Sequence, residues 1–146
     1  MTQAQTVDPA AVADAEHQLK DDHKRMHGLM NKVASETDVT TLRPLLEELH
    51  ARLREHFARE EYPGGFYDSM GALSPEFRKD IRKLADDHYR FLSTVRGLAS
   101  RAKYVEASEA AAVVQEAHEM MGALKEHERR EHEMAAEAQK LASAAD

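Results

Sequence analysis

The chain has 146 residues, enough to bury a core without disulfides or a structural metal. Charged residues make up 32% with a net charge of −7 and no basic stripe, which argues against a nucleic-acid surface. The absence of cysteine excludes disulfides and thiol chemistry, and no apolar run approaches membrane-spanning length.

Residues 1–8 read as a polar tail with neither the basic nor the apolar region of a signal peptide, so the cytoplasm is the expected location. Asp8-Pro9 predicts a helix start, with Asp as the cap and Pro in the first turn. Four helical stretches follow, each with apolar residues spaced three and four apart. The first carries Leu19, His23, Met26, Met30 and Val33 on one stripe. The second carries Leu42, Leu46, Leu49, Leu53, His56 and Glu60. The third carries Phe77, Ile81, Leu84, His88, Phe91, Val95 and Leu98. The fourth carries Val113, Ala117, Met120, Leu124, His127, Glu131 and Met134. Turns are expected at 35–42, 70–76 and 102–109, and Ser74-Pro75 predicts another helix start. Short connections between long amphipathic helices predict an all-α, up-down-up-down four-helix bundle over residues 9–142.

The chain also repeats itself. Residues 21–25 (DDHKR) match 86–90 (DDHYR), and 55–60 (EHFARE) match 126–131 (EHERRE). Each half therefore supplies one His from its first helix and a His-x-x-x-Glu pair from its second.

Polar residues on a core-facing stripe are informative, because their burial costs free energy unless they are satisfied. Six stand in the middle of the four stripes: His23, His56, Glu60, His88, His127 and Glu131. A His and a Glu four apart lie on one helix face and can reach one metal centre together. In an antiparallel hairpin, residues at one level are equidistant from the turn. The midpoints fall near residues 40, 73 and 108, at or close to each expected turn, so one cross-section can hold all six. Four imidazoles and two carboxylates suit a pair of first-row ions, and donor type alone also admits zinc or manganese. Taken singly, a core histidine is more often a hydrogen-bonded structural residue than a ligand. Among the other histidines, His27 stands one turn after His23, and His132 points about 100° away from Glu131. His17, His50 and His118 are expected at the surface or boundary, and Glu61 is expected to face solvent. Glu16 falls on the first stripe near a bundle end.

These motifs resemble the hemerythrin-like (HHE cation-binding) family, in which a His, a His-x-x-x-Glu, a His and a His-x-x-x-Glu stand on four successive helices. The resemblance runs from about residue 15 to 135. It implies a hemerythrin-like bundle in which His23, His56, Glu60, His88, His127 and Glu131 bind two non-haem irons. Glu60 and Glu131 would bridge them, with an oxo, hydroxo or water bridge as well. Two departures separate this chain from the oxygen carriers. Leu92 stands where they have a fifth His ligand, and His132 stands where they have an Asp, the carboxylate being Glu131 one residue earlier. The resemblance implies a small diatomic or peroxide ligand (dioxygen, peroxide or nitric oxide) and admits a catalase-like activity. Tyr62, Tyr67 and Tyr89 are the acid–base candidates beyond the ligands. The alternative is a non-enzymatic module that senses or stores iron or oxygen through a partner. A third reading is a purely structural bundle without metal, against which the complete set of six residues argues.

Pro63-Gly64-Gly65 breaks the second helix three residues after Glu60. The turn before the third helix must still lie near residue 73 for His88 to face Glu60. A short helical piece is therefore expected to resume at 66–70. The break is expected either to shape an entrance lined by Tyr62, Phe66 and Tyr67 or simply to let the helix bend around the bundle.

Overall fold

Leucine and methionine at spacings of three and four give each long segment one apolar face, and on that face the chain folds against itself. The computed structural model describes residues 9–144, so the expected tail at 1–8 and the cap Asp8 lie outside it. The helices are α1 (Pro9–Ser35), α2 (Val39–Glu61), α3 (Phe66–Leu73), α4 (Phe77–Tyr104) and α5 (Ala107–Ala144). The connections are shorter than the sequence suggested, because helix ends absorb much of each turn. Asp38 caps α2 by accepting the Thr40 N–H at 2.9 Å. Ser74 turns the chain into α4, its carbonyl accepting the Phe77 N–H at 3.2 Å.

The four long helices form the expected bundle. α2 packs chiefly on α4 and α1 on α5, while α1 with α2 and α4 with α5 close the square. α3 touches all four and plugs one end. Two separate apolar clusters result. One holds Met30, Leu46, Leu49, Val95, Val113 and Met121 among others. The other forms around α3, with Leu19, Phe66, Met70, Leu84, Met134 and Ala138.

The break after α2 is a tight turn. Tyr62 is extended, as a residue before proline must be. The Gly65 N–H bonds to the Tyr62 carbonyl at 2.8 Å, and Gly64 has φ +82°, the pattern of a type II turn with Pro at its second position. Gly65 is needed for a different reason. A Cβ there would lie 2.4 Å from the Arg59 carbonyl oxygen and 3.1 Å from that of Glu60. Asp68 accepts the Gly64 N–H at 2.9 Å and so ties the turn to the first turn of α3. The short helix expected at 66–70 is present and runs three residues further, to Leu73.

Candidate metal centre

Between the two apolar clusters lies a layer of buried polar side chains. His23 comes from α1, His56 and Glu60 from α2, His88 from α4, and His127 and Glu131 from α5, each 3% exposed or less. They form two quartets whose donor atoms lie within 4.8 Å of one another: His23, His56, Glu60, Glu131 and Glu60, His88, His127, Glu131. Both glutamates belong to both quartets. Glu60 Oε2 lies 3.5 Å from His56 Nε2 and 3.8 Å from His23 Nε2, while its Oε1 lies 3.3 Å from His88 Nε2. Glu131 Oε1 lies 3.2 Å from His23 Nε2 and 3.6 Å from His127 Nε2.

Burial dominates the electrostatics. Burial, with His23 beside it, holds His56 down to about 4. Burial, with His127 beside it, holds His88 down to about 3. Burial and the adjacent Glu131 push Glu60 well above the usual carboxylate range. Burial would raise Glu131 too, but His23, the neighbouring Glu60 and His127 outweigh it and hold this carboxyl low.

Tyr67 reaches into this layer from α3. Its hydroxyl donates to Glu131 Oε2 at 2.9 Å, and its oxygen lies 2.9 Å from His88 Nε2. Burial and the charges of Glu131 and Glu60 push its ionisation up, so it stays a phenol. Phe57 stacks on His88, ring centres 3.7 Å apart, and Phe91 meets His127 edge-on at 5.4 Å. These contacts leave the rings little freedom to rotate.

The outward nitrogens of the rings also have neighbours. His88 Nδ1 hydrogen-bonds to Glu61 Oε2 at 3.2 Å and His127 Nδ1 to Asp87 Oδ2 at 3.4 Å. His23 Nδ1 and His132 Nε2 share a hydrogen bond of 2.8 Å. His56 Nδ1 stands 4.0 Å from Asp22 Oδ2.

Several sequence expectations change here. Glu61 is half-exposed as anticipated for its position, yet its carboxylate turns back onto His88. His132 points away from its own stripe but reaches His23 from across the bundle. His27 is outside the layer and pairs with Glu128 at 2.7 Å. Tyr62 and Tyr89 are 63% and 77% exposed, so of the three tyrosines only Tyr67 joins the site. His17 pairs with Asp21, His118 bonds the Glu36 carbonyl and Glu16 pairs with Lys20, all near the surface. A cleft of about 280 Å³ opens beside Glu60, lined by Asp22, Arg59, Tyr62, Gly65 and Phe66 among others. Tyr67 does not line that cleft.

The buried layer has unmet hydrogen-bonding capacity. His23 Nε2, His56 Nδ1, both oxygens of Glu60 and Glu131 Oε1 have no hydrogen-bond partner. Each such buried group costs about 1–3 kcal/mol. All but His56 Nδ1 face one another at the centre of the layer. Cations held by imidazole nitrogen and carboxylate oxygen would satisfy them, and these donor types fit first-row ions.

Among the described residues no helix is long and apolar enough to cross a membrane. Searches against curated proteins and against solved structures give no match. The model of the Hemerythrin HHE cation binding domain matches residues 14–138, a span that includes every residue of the polar layer. On that match and this all-helical bundle, the chain belongs to the hemerythrin HHE cation-binding family.

Proposed function

We propose that His23, His56, Glu60, His88, His127 and Glu131 hold two iron ions, and that the chain binds or reacts with dioxygen, peroxide or nitric oxide at that pair. The observation that carries this reading is the set of unpartnered buried donors, arranged as two quartets that share both glutamates. Bound iron supplies one-electron redox chemistry and a position for a small ligand.

The protein's own contribution follows from its residues. The His56 and His88 imidazoles stay neutral, since burial keeps them from holding protons, and so present lone pairs to a cation. Glu60 and Glu131 bring the negative charge that a cation pair needs, and entering cations favour the ionised form of Glu60 that burial disfavours. Tyr67 keeps a proton at Glu131 Oε2, beside His88, where a reacting oxygen species would need one. The cleft beside Glu60 suits entry of a small molecule, while the apolar clusters on either side exclude bulk water.

The test is metal analysis of the purified full chain, followed by exposure of the iron-loaded protein to peroxide, dioxygen and nitric oxide. Two irons per chain, lost in His88→Ala and Glu131→Ala, support the assignment. Occupancy well below two, unchanged in the variants, removes it. A second reading is a non-enzymatic sensor or store of iron or oxygen acting through a partner. It draws on the same unpartnered donors, which make the folded state depend on cations. Iron loading without peroxide turnover and without a spectral change on adding dioxygen or nitric oxide would favour it.

A further inference from the structure

The internal repeat extends one step outward from the six clustered side chains. In the register that matches 21–25 with 86–90 and 55–60 with 126–131, Asp22 corresponds to Asp87 and Glu61 to His132. The fold uses these four residues in parallel ways. Asp22 faces His56 as Asp87 faces His127, and His132 faces His23 as Glu61 faces His88.

The chemistry is not parallel. In the α4/α5 half, both rings hydrogen-bond to carboxylates, at 3.2 Å and 3.4 Å. In the α1/α2 half, neither does. Asp22 is 4.0 Å from His56, whose Nδ1 is left without a hydrogen-bond partner, and His23 bonds to an imidazole. The carboxylates also differ among themselves. Asp87 shares its charge with Arg90 and Arg130, whereas Glu61 makes no ion pair with Lys or Arg among the described residues.

A carboxylate on the far nitrogen of a ligating imidazole fixes the ring and raises its basicity. A neutral imidazole fixes the ring without adding the charge, and makes the weaker hydrogen bond. We infer that, granted the ion pair proposed above, the two positions are unequal. The ion between His88 and His127 is held more tightly than the ion between His23 and His56. His132 is a positioning residue behind the difference, because it stands where the repeat calls for a carboxylate, and the unpartnered His56 Nδ1 adds to it.

The test titrates the metal-free full chain with Fe²⁺ under anaerobic conditions against a competing chelator, reading bound iron per chain. Two uptake steps are expected, separated by about tenfold or more in affinity. His132→Glu restores a carboxylate at the position equivalent to Glu61 and is expected to tighten the weaker step by about tenfold, drawing the two together. Glu61→Gln is expected to weaken the tighter step by about tenfold and leave the weaker one in place. Circular dichroism checks that each variant keeps its helices, which their partly exposed positions favour. A single uptake step for two ions, or two steps that His132→Glu does not move, overturns the inference alone. A chain that takes up no iron overturns the proposed function, and this inference falls with it.

Discussion

Tyr67 and Glu131 are 64 residues apart in sequence, yet the phenol donates to Glu131 Oε2 at 2.9 Å. The short plug helix therefore controls one oxygen of a carboxylate held by the longest helix. Tyr67→Phe keeps the ring in its apolar seat and removes only the donor. The metal-free variant is expected to lose about 1–3 kcal/mol, read by urea denaturation, because a buried carboxylate oxygen is left unpaired. Its iron content is expected to remain while any reaction needing a proton at that oxygen slows. Unchanged stability together with unchanged reaction rates would reduce Tyr67 to a space-filling role.

Ion removal is expected to weaken the whole bundle. Cations that bind the folded layer and not the open chain add about 2.7 kcal/mol of stability at a hundred times their dissociation constant. Thermal melts of iron-loaded and chelated protein should separate by several degrees, the loaded form higher. Superimposed melts with iron demonstrably bound would mean that the layer is already satisfied without ions.

Acid is expected to unfold the metal-free protein. His56 and His88 titrate at about 4 and about 3 when folded, against 6.5 in an open chain. The unfolded state takes up their protons first, so each contributes stability above 6.5 that is lost as pH falls towards 3. The slope is about 1.4 kcal/mol per pH unit for each ring. Glu60 works in the opposite sense, since its carboxyl is raised above 4.5 and disfavours folding as pH rises past that point. From 6.5 to 4.5 the two rings outweigh the one carboxyl, a net loss of about 1.4 kcal/mol per pH unit, and below 4.5 Glu60 no longer opposes the loss while the low Glu131 carboxyl adds to it. Urea melts of chelated protein between pH 7 and 3.5 should show stability falling from about 6.5 downward, and still falling below 4.5. A flat profile there would contradict the depressed imidazoles.

The two glycines after Pro63 should respond differently to alanine. Gly64→Ala meets nothing within 4 Å and is penalised only by its positive φ, about 1–2 kcal/mol. Gly65→Ala drives a Cβ into the Arg59 and Glu60 carbonyls, so the last turn of α2 must shift and take Glu60 with it. Gly64→Ala is expected to lower the melting temperature and keep both irons. Gly65→Ala is expected to lower both the melting temperature and the iron content, read by metal analysis.

The six clustered residues were legible in the sequence because a helical stripe reports which side chains share a face, and antiparallel pairing reports which share a level. The resumption of helix at Phe66 was legible for the same reason, since His88 can face Glu60 only if the chain travels that far before turning. The outer partners were not. His132 and Glu61 sit off their own stripes and meet rings on neighbouring helices, a matter of rotation about the helix axis that spacing leaves open. A signal did exist: the repeated DDH places Asp22 and Asp87 alike, and extending the second repeat by one residue aligns Glu61 with His132. Tyr67 was one of three tyrosine candidates, and only the path of α3 separates it from the exposed Tyr62 and Tyr89.

The polar layer parts two apolar clusters that have little in themselves to fix one alignment. Leucine and methionine faces attract without direction, and a helix slid by one turn would still present an apolar stripe to its neighbours. Sliding any of the four long helices would carry a histidine or glutamate out of the layer and into hydrocarbon. The six residues therefore act as an index mark that makes a single vertical alignment acceptable. Replacing them all with leucine and alanine is expected to raise the denaturation midpoint while broadening the amide resonances, as several alignments become equal in energy.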